Sequence, residues 1–393
     1  MEKKKYLYID KEAIATLAMA KEGLLYPVVE LMNEKEAIEV DSTGRYKGKL
    51  FPFSFLLAPS GKRNEVVLKS MKKGEILHLF YKDRVYGTLK VDEVFRIDKV
   101  ERVKKIYGTD NPDHPGVQDT LGRLGNYAVC GEFEVDFDDI KDHKENIKKA
   151  IAETEATKIS SLVLTARPFH RVHEKIIRRT LVDCDLLIIF IQKPFVNDII
   201  SFDTKLKTID YFVSRYLPKN RVVVIPLENT YIFGGFNELT LNSIVAKNYG
   251  SHKLILSQNH AGLGAYYESH RLGSVVDTLE EIDIQIDILG ESVYCDQCKT
   301  LVNVNTCPHG AHHHVTYNND AIMGLYTLGM LPPAILVRPE VSSIILSEMF
   351  PDRLPKLKKI HQHLATSSGI IEDFQFEDFY KNLMELYKTS SLT

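Results

Sequence analysis

No run of this chain approaches the ~18 apolar residues that a membrane-spanning helix requires, so no transmembrane segment is expected. The N-terminus, MEKKKYLYIDKEAIA, opens on basic residues but lacks an apolar core, and does not read as a secretory signal. Charge of neither sign is in excess: 50 Lys and Arg stand against 53 Asp and Glu, a formal net charge of -3. That balance gives no reason to expect nucleic acid or an acidic membrane as partner, and the Lys3-Lys4-Lys5 run reads as solvated charge. No G-x-x-x-x-G-K-[ST] segment occurs and the chain ends soon after its last helical stretch, so an appended P-loop kinase domain is not expected. Internal repeats and low-complexity segments are also missing. Cysteine is scarce at five residues, three of them crowded between 295 and 307. That distribution argues for metal in a reducing cytoplasm and against a disulfide framework. Cys130 and Cys184 sit beside apolar residues and read as small core residues.

What is present is ordinary globular sequence, 44% apolar and 26% charged over 393 residues, enough for roughly two or three domains. Residues 1–157 read as a helix followed by short strands: KGEILHLFY, RVYGTLKVDEVFRID and YAVCGEFEVDF alternate apolar and polar positions, as half-buried strands do. A small β-barrel-like domain is expected there, ending in a charged helix over Lys141 to Thr157. From residue 158 the rhythm changes. SLVLTA, DLLIIFIQ, RVVVIPL, HKLILS and IDIQIDIL alternate with helical stretches such as Phe202 to Arg215 and Asn237 to Lys247. Such alternation predicts an α/β region with a parallel sheet covered on both faces, whose ligands bind beyond the carboxyl ends of the strands. From 317 onward the chain is mostly helical, with a break at Leu331-Pro332-Pro333. Phe376, Phe379, Leu383 and Leu386 form an apolar stripe that suits packing within the monomer or in a homo-oligomer.

Ser161 to Glu174, SLVLTARPFHRVHE, carries the first chemical signal. Leu162 to Leu164 read as a buried strand end, Pro168 as its breaker, and Glu174 to Leu181 as a helix. A strand, a tight turn and a helix start point backbone N–H groups and a positive helix end at an anion. His170 and His173 stand three apart and face one side of that helix start. Two imidazoles and a dipole suit the holding of a polyphosphate; a surface turn with two incidental histidines is the alternative.

The second signal is Cys295-x-x-Cys298, then Cys307-Pro308-His309, then His312-His313-His314. Three thiolates and an imidazole make a tetrahedral site for zinc or iron, closed and therefore structural. Spacing leaves the fourth ligand open among His309, His312 and His313.

Taken together, six segments in order resemble the ATP sulfurylase (sulfate adenylyltransferase) family. Gly108-Thr109-x-x-x-x-His114-Pro115-Gly116-Val117 is similar to its GT-x-D-x-x-HPGV. His170-Arg171-Val172-His173-Glu174 resembles the end of QTRNP-x-HRGHE, and His260-Ala261-Gly262-x-Gly264 the end of GRDHAGPG. Lys247-Asn248-Tyr249-Gly250, the Cys/His knuckle over 295–314 and Arg338-Pro339-Glu340-Val341 complete the set. The resemblance implies a PUA-like β-rich domain over 1–157, a Rossmann-like nucleotidyltransferase domain over 158–316 and a helical region over 317–393. It implies the reaction of ATP, as its Mg2+ complex, with sulfate to give adenosine 5′-phosphosulfate and pyrophosphate. It assigns His170, His173 and Arg167 to catalysis, and Thr165, His170, His173, Asn259, His260, Ala261 and Gly262 to ATP. Aligning the paired histidines without gaps makes His313 the fourth ligand of a structural Zn2+ beside Cys295, Cys298 and Cys307, with His309 the alternative. Small-molecule substrates and a cytoplasmic protein follow.

The departures fall on anion-handling positions. The family's sulfate-binding Gln and Arg fall on Leu164 and Ala166, and a second active-site Arg falls on Gln258. The family's YAGPREALLHA becomes Phe233 to Ser243, with Asn237 and Asn242 where Arg and His stand, and Met323 replaces a further Arg. A sulfate dianion beside a triphosphate calls for fixed cationic charge and bidentate donors. Three readings follow: a sulfurylase in which Arg167 carries the sulfate, a nucleotidyltransferase with another acceptor whose pocket is lined by Leu164, Ala166 and Phe169, or a nucleotide-binding paralogue without catalysis.

Overall fold

The computed structural model describes residues 4–195, 198–257 and 279–353, with 355, 356 and 359. Gln258, Asn259, His260, Ala261, Gly262 and the stripe from Phe376 to Leu386 lie outside the described residues. Two compact units form, and each gathers distant pieces of chain: Met1–Val163, Gln192–Phe195 and Pro226–Leu289 in one, Leu164–Ile191, Val196–Ile225 and Gly290–Thr393 in the other.

The first unit begins with β1 (Lys5–Tyr8), α1 (Lys11–Lys21) and α2 (Glu34–Thr43). Each helix starts where a side chain takes a free N–H of the first turn. Asp10 accepts from Ala13 at 2.8 Å, and Asn33 and Glu36 close a capping box before α2. The short pair β2 (Arg45–Tyr46) and β3 (Lys49–Leu50) follows, then β4 (Leu57–Pro59), α3 (Lys62–Lys69), β5 (Ile76–Tyr81) and β6 (Arg84–Arg96). α4 (Lys99–Tyr107), α5 (Pro115–Arg123), β7 (Leu124–Val135) and α6 (Asp139–Thr154) complete this stretch. It is more helical than the strand periodicity suggested, because local caps such as Asp98, which accepts from Val100 and Glu101, start helices the alternation does not reveal. The strands order as β1-β5-β6-β7-β4. β1 pairs parallel to β5, Leu7 opposite Leu79, and β6 pairs antiparallel to β7 with a register shift between Val91 and Glu93. Gly131 sits opposite that bulge at φ +148, where a Cβ would lie 1.9 Å from the Lys90 carbonyl oxygen, so only glycine fits.

The second sheet has the order β10-β9-β8-β11-β12, from β8 (Ile159–Leu164), β9 (Leu186–Pro194), β10 (Val222–Asn229), β11 (Lys253–Ser257) and β12 (Gln285–Leu289). β11 pairs parallel to β8, Ile255 opposite Leu162, and to β12, Ile255 opposite Asp287. Every residue of β8 is buried, the mark of a strand covered on both faces. α7 (Arg171–Asp183), α8 (Phe202–Tyr216) and α9 (Glu238–Asn248) alternate with these strands as the sequence predicts. Beyond them, β13 (Ser292–Cys295), β14 (Thr300–Asn303) and β15 (His314–Val315) form a small antiparallel sheet in the order β14-β13-β15. α10 (Asn319–Thr327) and α11 (Pro339–Met349) follow, joined by a 2.8 Å contact between the Tyr326 and Ser342 hydroxyls. No helix among the described residues is long and apolar enough to cross a membrane.

Candidate active site and metal centre

β8 ends at Leu164, and the next six residues form the turn that the sequence singled out. Thr165 and Arg167 are exposed, whereas Ala166, Pro168 and Phe169 are buried. Ala166 adopts φ +48, which flips the turn so that the small side chain points inward and Arg167 outward. Leu164, Ala166 and Phe169 are 5%, 1% and 1% exposed, so they belong to the packed interior and do not line an open pocket. Phe169 packs between His173, ring centroids 5.6 Å apart, and Phe212 at 5.4 Å.

α7 starts on His170, whose extended backbone makes it the N-cap. The rings of His170 and His173 stack with centroids 3.7 Å apart, and the His170 N–H donates to His173 Nδ1 at 3.1 Å. That bond assigns the His173 proton to Nε2. Burial presses the His170 pKa down to about 4, against a smaller opposing effect from Asn319. Burial and the neighbouring His170 press His173 well below its ordinary value. Both rings are therefore neutral at pH 7, and act as hydrogen-bonding groups, not as fixed cations. The helix end is also partly used: the Arg171 N–H donates to the Leu336 carbonyl at 2.9 Å.

Charge near this helix start comes from arginine. Glu174, buried on the first turn of α7, receives Arg338 through both oxygens, Nε to Oε1 at 3.1 Å and Nη2 to Oε2 at 2.6 Å. Arg171 Nη1 reaches Oε2 at 3.2 Å. The RPEV segment and the HRVHE segment are thus one bidentate clamp, and the guanidinium of Arg338 lies 3.8 Å from the Tyr216 ring centroid. Arg167 forms an ion pair with Asp198, Nε 3.1 Å from Oδ1, and Asp198 in turn receives Lys205 at 2.7 Å. Neither Asp198 nor Lys205 lies in a motif, so no local pattern marks them.

Other family-like segments serve the scaffold of the first unit. Asn237 donates to the carbonyls of Lys105 and Ile106 at 2.7 and 2.8 Å, closing the end of α4. Asn248 donates to the carbonyls of Leu24 and Tyr26, and Lys247 holds Asp283. In the second unit, Met323 is buried, 3% exposed.

In the knuckle, Cys295, Cys298, Cys307 and His309 place their ligand atoms within 4.8 Å of one another. His309 Nδ1 lies 3.4, 3.2 and 3.6 Å from the three sulfurs, and the Cys298 and Cys307 sulfurs are 4.0 Å apart. Tetrahedral zinc with its usual bond lengths requires edges of about 3.6 Å for S···N and about 3.8 Å for S···S, so this donor set fits. Burial raises the Cys295 pKa, but the N–H groups of Cys298 and Gln297 together with the neighbouring Cys298 and Cys307 thiols outweigh it and lower it overall. His313 is not in the cluster. Its Nδ1 lies 2.8 Å from Asp296 Oδ1, because the short 3-10 turn Ala311–His313 carries it away after Gly310. The structure thus brings His309, the alternative to His313, to the three thiols.

Family comparison agrees with the motif reading. The ATP-sulfurylase family model matches residues 138–348. The chain belongs to the ATP-sulfurylase family. A PUA-like domain model matches residues 1–136. The sulfate adenylyltransferase of Carboxydothermus hydrogenoformans is 28% identical over 293 residues, 72% of this chain and 74% of that protein. That of Chloroflexus aurantiacus is 27% identical over 350 residues, 86% of this chain and 90% of that protein. Among solved structures, the hexameric APS kinase from Thiobacillus denitrificans is similar with a TM-score of 0.65 and 17% identity over 88% of this chain. The present chain spans 63% of the length of that one, and the likeness is one of fold.

Proposed function

We propose that this ATP-sulfurylase family member transfers the adenylyl group of magnesium-bound ATP to a tetrahedral oxyanion, with sulfate as the acceptor. An acceptor oxygen attacks the α-phosphorus, the bond to the bridging oxygen of the β-phosphate breaks, and pyrophosphate leaves with the electron pair. Sulfate is a weak nucleophile, so the protein's part is positioning and stabilisation of charge. The observation that carries the reading is the His170–His173 pair held on the first turn of α7 in a chain matched to the family over 138–348. His173, half-buried and with its Nδ1 occupied, offers Nε2–H to a phosphate oxygen; His170 stacks behind it and fixes its ring. Neutral imidazoles bind phosphate without a large desolvation cost and gain charge as negative charge builds on the departing pyrophosphate. Arg167 supplies the cationic group at the acceptor, and Thr165, exposed beside it, a hydroxyl for the nucleotide. Zn2+ on Cys295, Cys298, Cys307 and His309 closes the knuckle and has no step in the reaction.

A second reading has its own support. Leu164 and Ala166, buried and uncharged, stand at the positions that the family resemblance assigns to sulfate ligands, which favours an acceptor other than sulfate. One experiment tests both: pyrophosphate release by the purified protein with ATP and Mg2+, with and without sulfate, alongside ATP binding by calorimetry. Sulfate-dependent release is expected. Release with another oxyanion only selects the second reading, and ATP binding without release to any acceptor overturns both.

A further inference from the structure

The proposed acceptor site contains one arginine with a particular set of constraints. Arg167 is nearly half exposed, 46% of its side chain, and among the described residues its partner is Asp198 alone. That contact uses Nε, at 3.1 Å from Oδ1. The other carboxylate oxygen, Oδ2, receives Lys205 Nζ at 2.7 Å, and Lys205 is 4% exposed. Oδ1 also accepts the N–H of Ile199 at 2.7 Å. Burial raises the Asp198 pKa, but Lys205, the Ile199 N–H and Arg167 outweigh it and hold the carboxylate below its ordinary range. The aspartate is thus a fixed anion tethered on two sides, unable to swing toward the far end of the guanidinium.

The geometry has a chemical consequence. A guanidinium presents five N–H donors, and a carboxylate on Nε leaves the terminal Nη1/Nη2 fork unpaired. That fork matches two oxygens of a tetrahedral oxyanion, whereas an ammonium offers a point charge without the planar geometry. The three side chains carry a net charge of about +1 by their ordinary ionisation, so an incoming dianion meets attraction. We propose that Asp198 and Lys205 are positioning residues that hold Arg167 by its Nε so that the terminal fork binds the oxyanion acceptor. The inference deepens the acceptor reading above and rests on it.

The test uses the full chain and two probes, sulfate and selenate, reading the KM for each anion in pyrophosphate release and the ATP Kd by calorimetry. Asp198→Asn removes the charge that orients Arg167, and should raise the anion KM about tenfold with the ATP Kd unchanged. It should add little when combined with Arg167→Ala, since the two act through one group. Asp198→Asn leaves Lys205 buried without its counter-ion, so Arg167→Lys serves as an independent variant at an exposed position. It should raise the anion KM nearly as much as Arg167→Ala. An unchanged or lowered anion KM in Asp198→Asn would overturn the inference, a lowered one because it would make Asp198 a competitor for Arg167. Arg167→Lys behaving as the wild type would overturn it too, by reducing Arg167 to a point charge. Wild-type protein showing no dependence on either anion would instead sink the acceptor reading, and this inference with it.

Discussion

An imidazole moved from water into a packed interior gives up its proton more readily, and the cost reappears in the pH dependence of folding. His170 is 6% exposed, with its pKa pressed down to about 4 by burial. The unfolded chain protonates this residue near its ordinary value of 6.5. Between those two values the unfolded state binds more protons than the folded state, so stability falls as the pH drops below 6.5 and levels off below 4. At pH 5 the loss from this one residue is about 2 kcal/mol. Urea midpoints at pH 7 and pH 5 should show that loss in the wild type and not in His170→Gln. Equal losses in the two proteins would assign the slope to other groups. The same desolvation explains why the cationic charge at this helix start rests with Arg167, Arg171 and Arg338 and not with the histidines.

Strands of two to four residues, such as those of the knuckle, do not hold together on their own, and a metal held by the Cys295, Cys298, Cys307 and His309 cluster would supply the cross-link that β13 to β15 otherwise lack. Three of the four side chains that cluster there were legible in the sequence, because thiols at i and i+3 followed by a third have the spacing of a metal knuckle. The fourth was not. Which histidine points inward is decided by backbone path: His309 lies beside the sulfurs, and the 3-10 turn Ala311–His313 directs His313 to Asp296. Spacing allows both and cannot see the turn. Elemental analysis should find about one zinc per chain. His309→Ala should lose the metal, while His313→Ala should keep it. Retention by His309→Ala and loss by His313→Ala would reverse the assignment. Removing the metal with a chelator should expose residues 290–316 to proteolysis before the rest of the chain.

On the scale of the whole molecule, the alternation of strands and helices after residue 158 was legible because apolar periodicity reports burial directly. The grouping of distant segments was not, since compactness depends on contacts that no local pattern encodes. Phe233 to Asn237 shows this best. As sequence it resembles an active-site motif that has lost its arginine; in the first unit it is a packing latch. The Tyr107 ring lies against Gly116 and Gly234, where added Cβ atoms would meet ring carbon at 2.7 and 2.3 Å, and Gly235 lies against the Tyr107 backbone, where a Cβ would come 2.6 Å from its carbonyl oxygen. Its hydroxyl is 2.8 Å from the Thr120 hydroxyl and donates to the Tyr231 carbonyl at 3.3 Å. A ring enclosed on several sides and fixed at its tip cannot move aside, so Gly234→Ala should destabilise the protein by about 1–3 kcal/mol, the usual cost of overpacking. Gly234 is extended at φ -134, so an alanine there carries no backbone strain and the effect is purely steric. Tyr107→Leu should be costly alone, through the cavity it leaves, yet much less costly in the Gly234→Ala background, where the new methyl group needs that space. A double-mutant cycle from urea unfolding measures the coupling. Additive costs would mean that the two segments do not pack as described, and the glycines of this motif would then need a functional explanation.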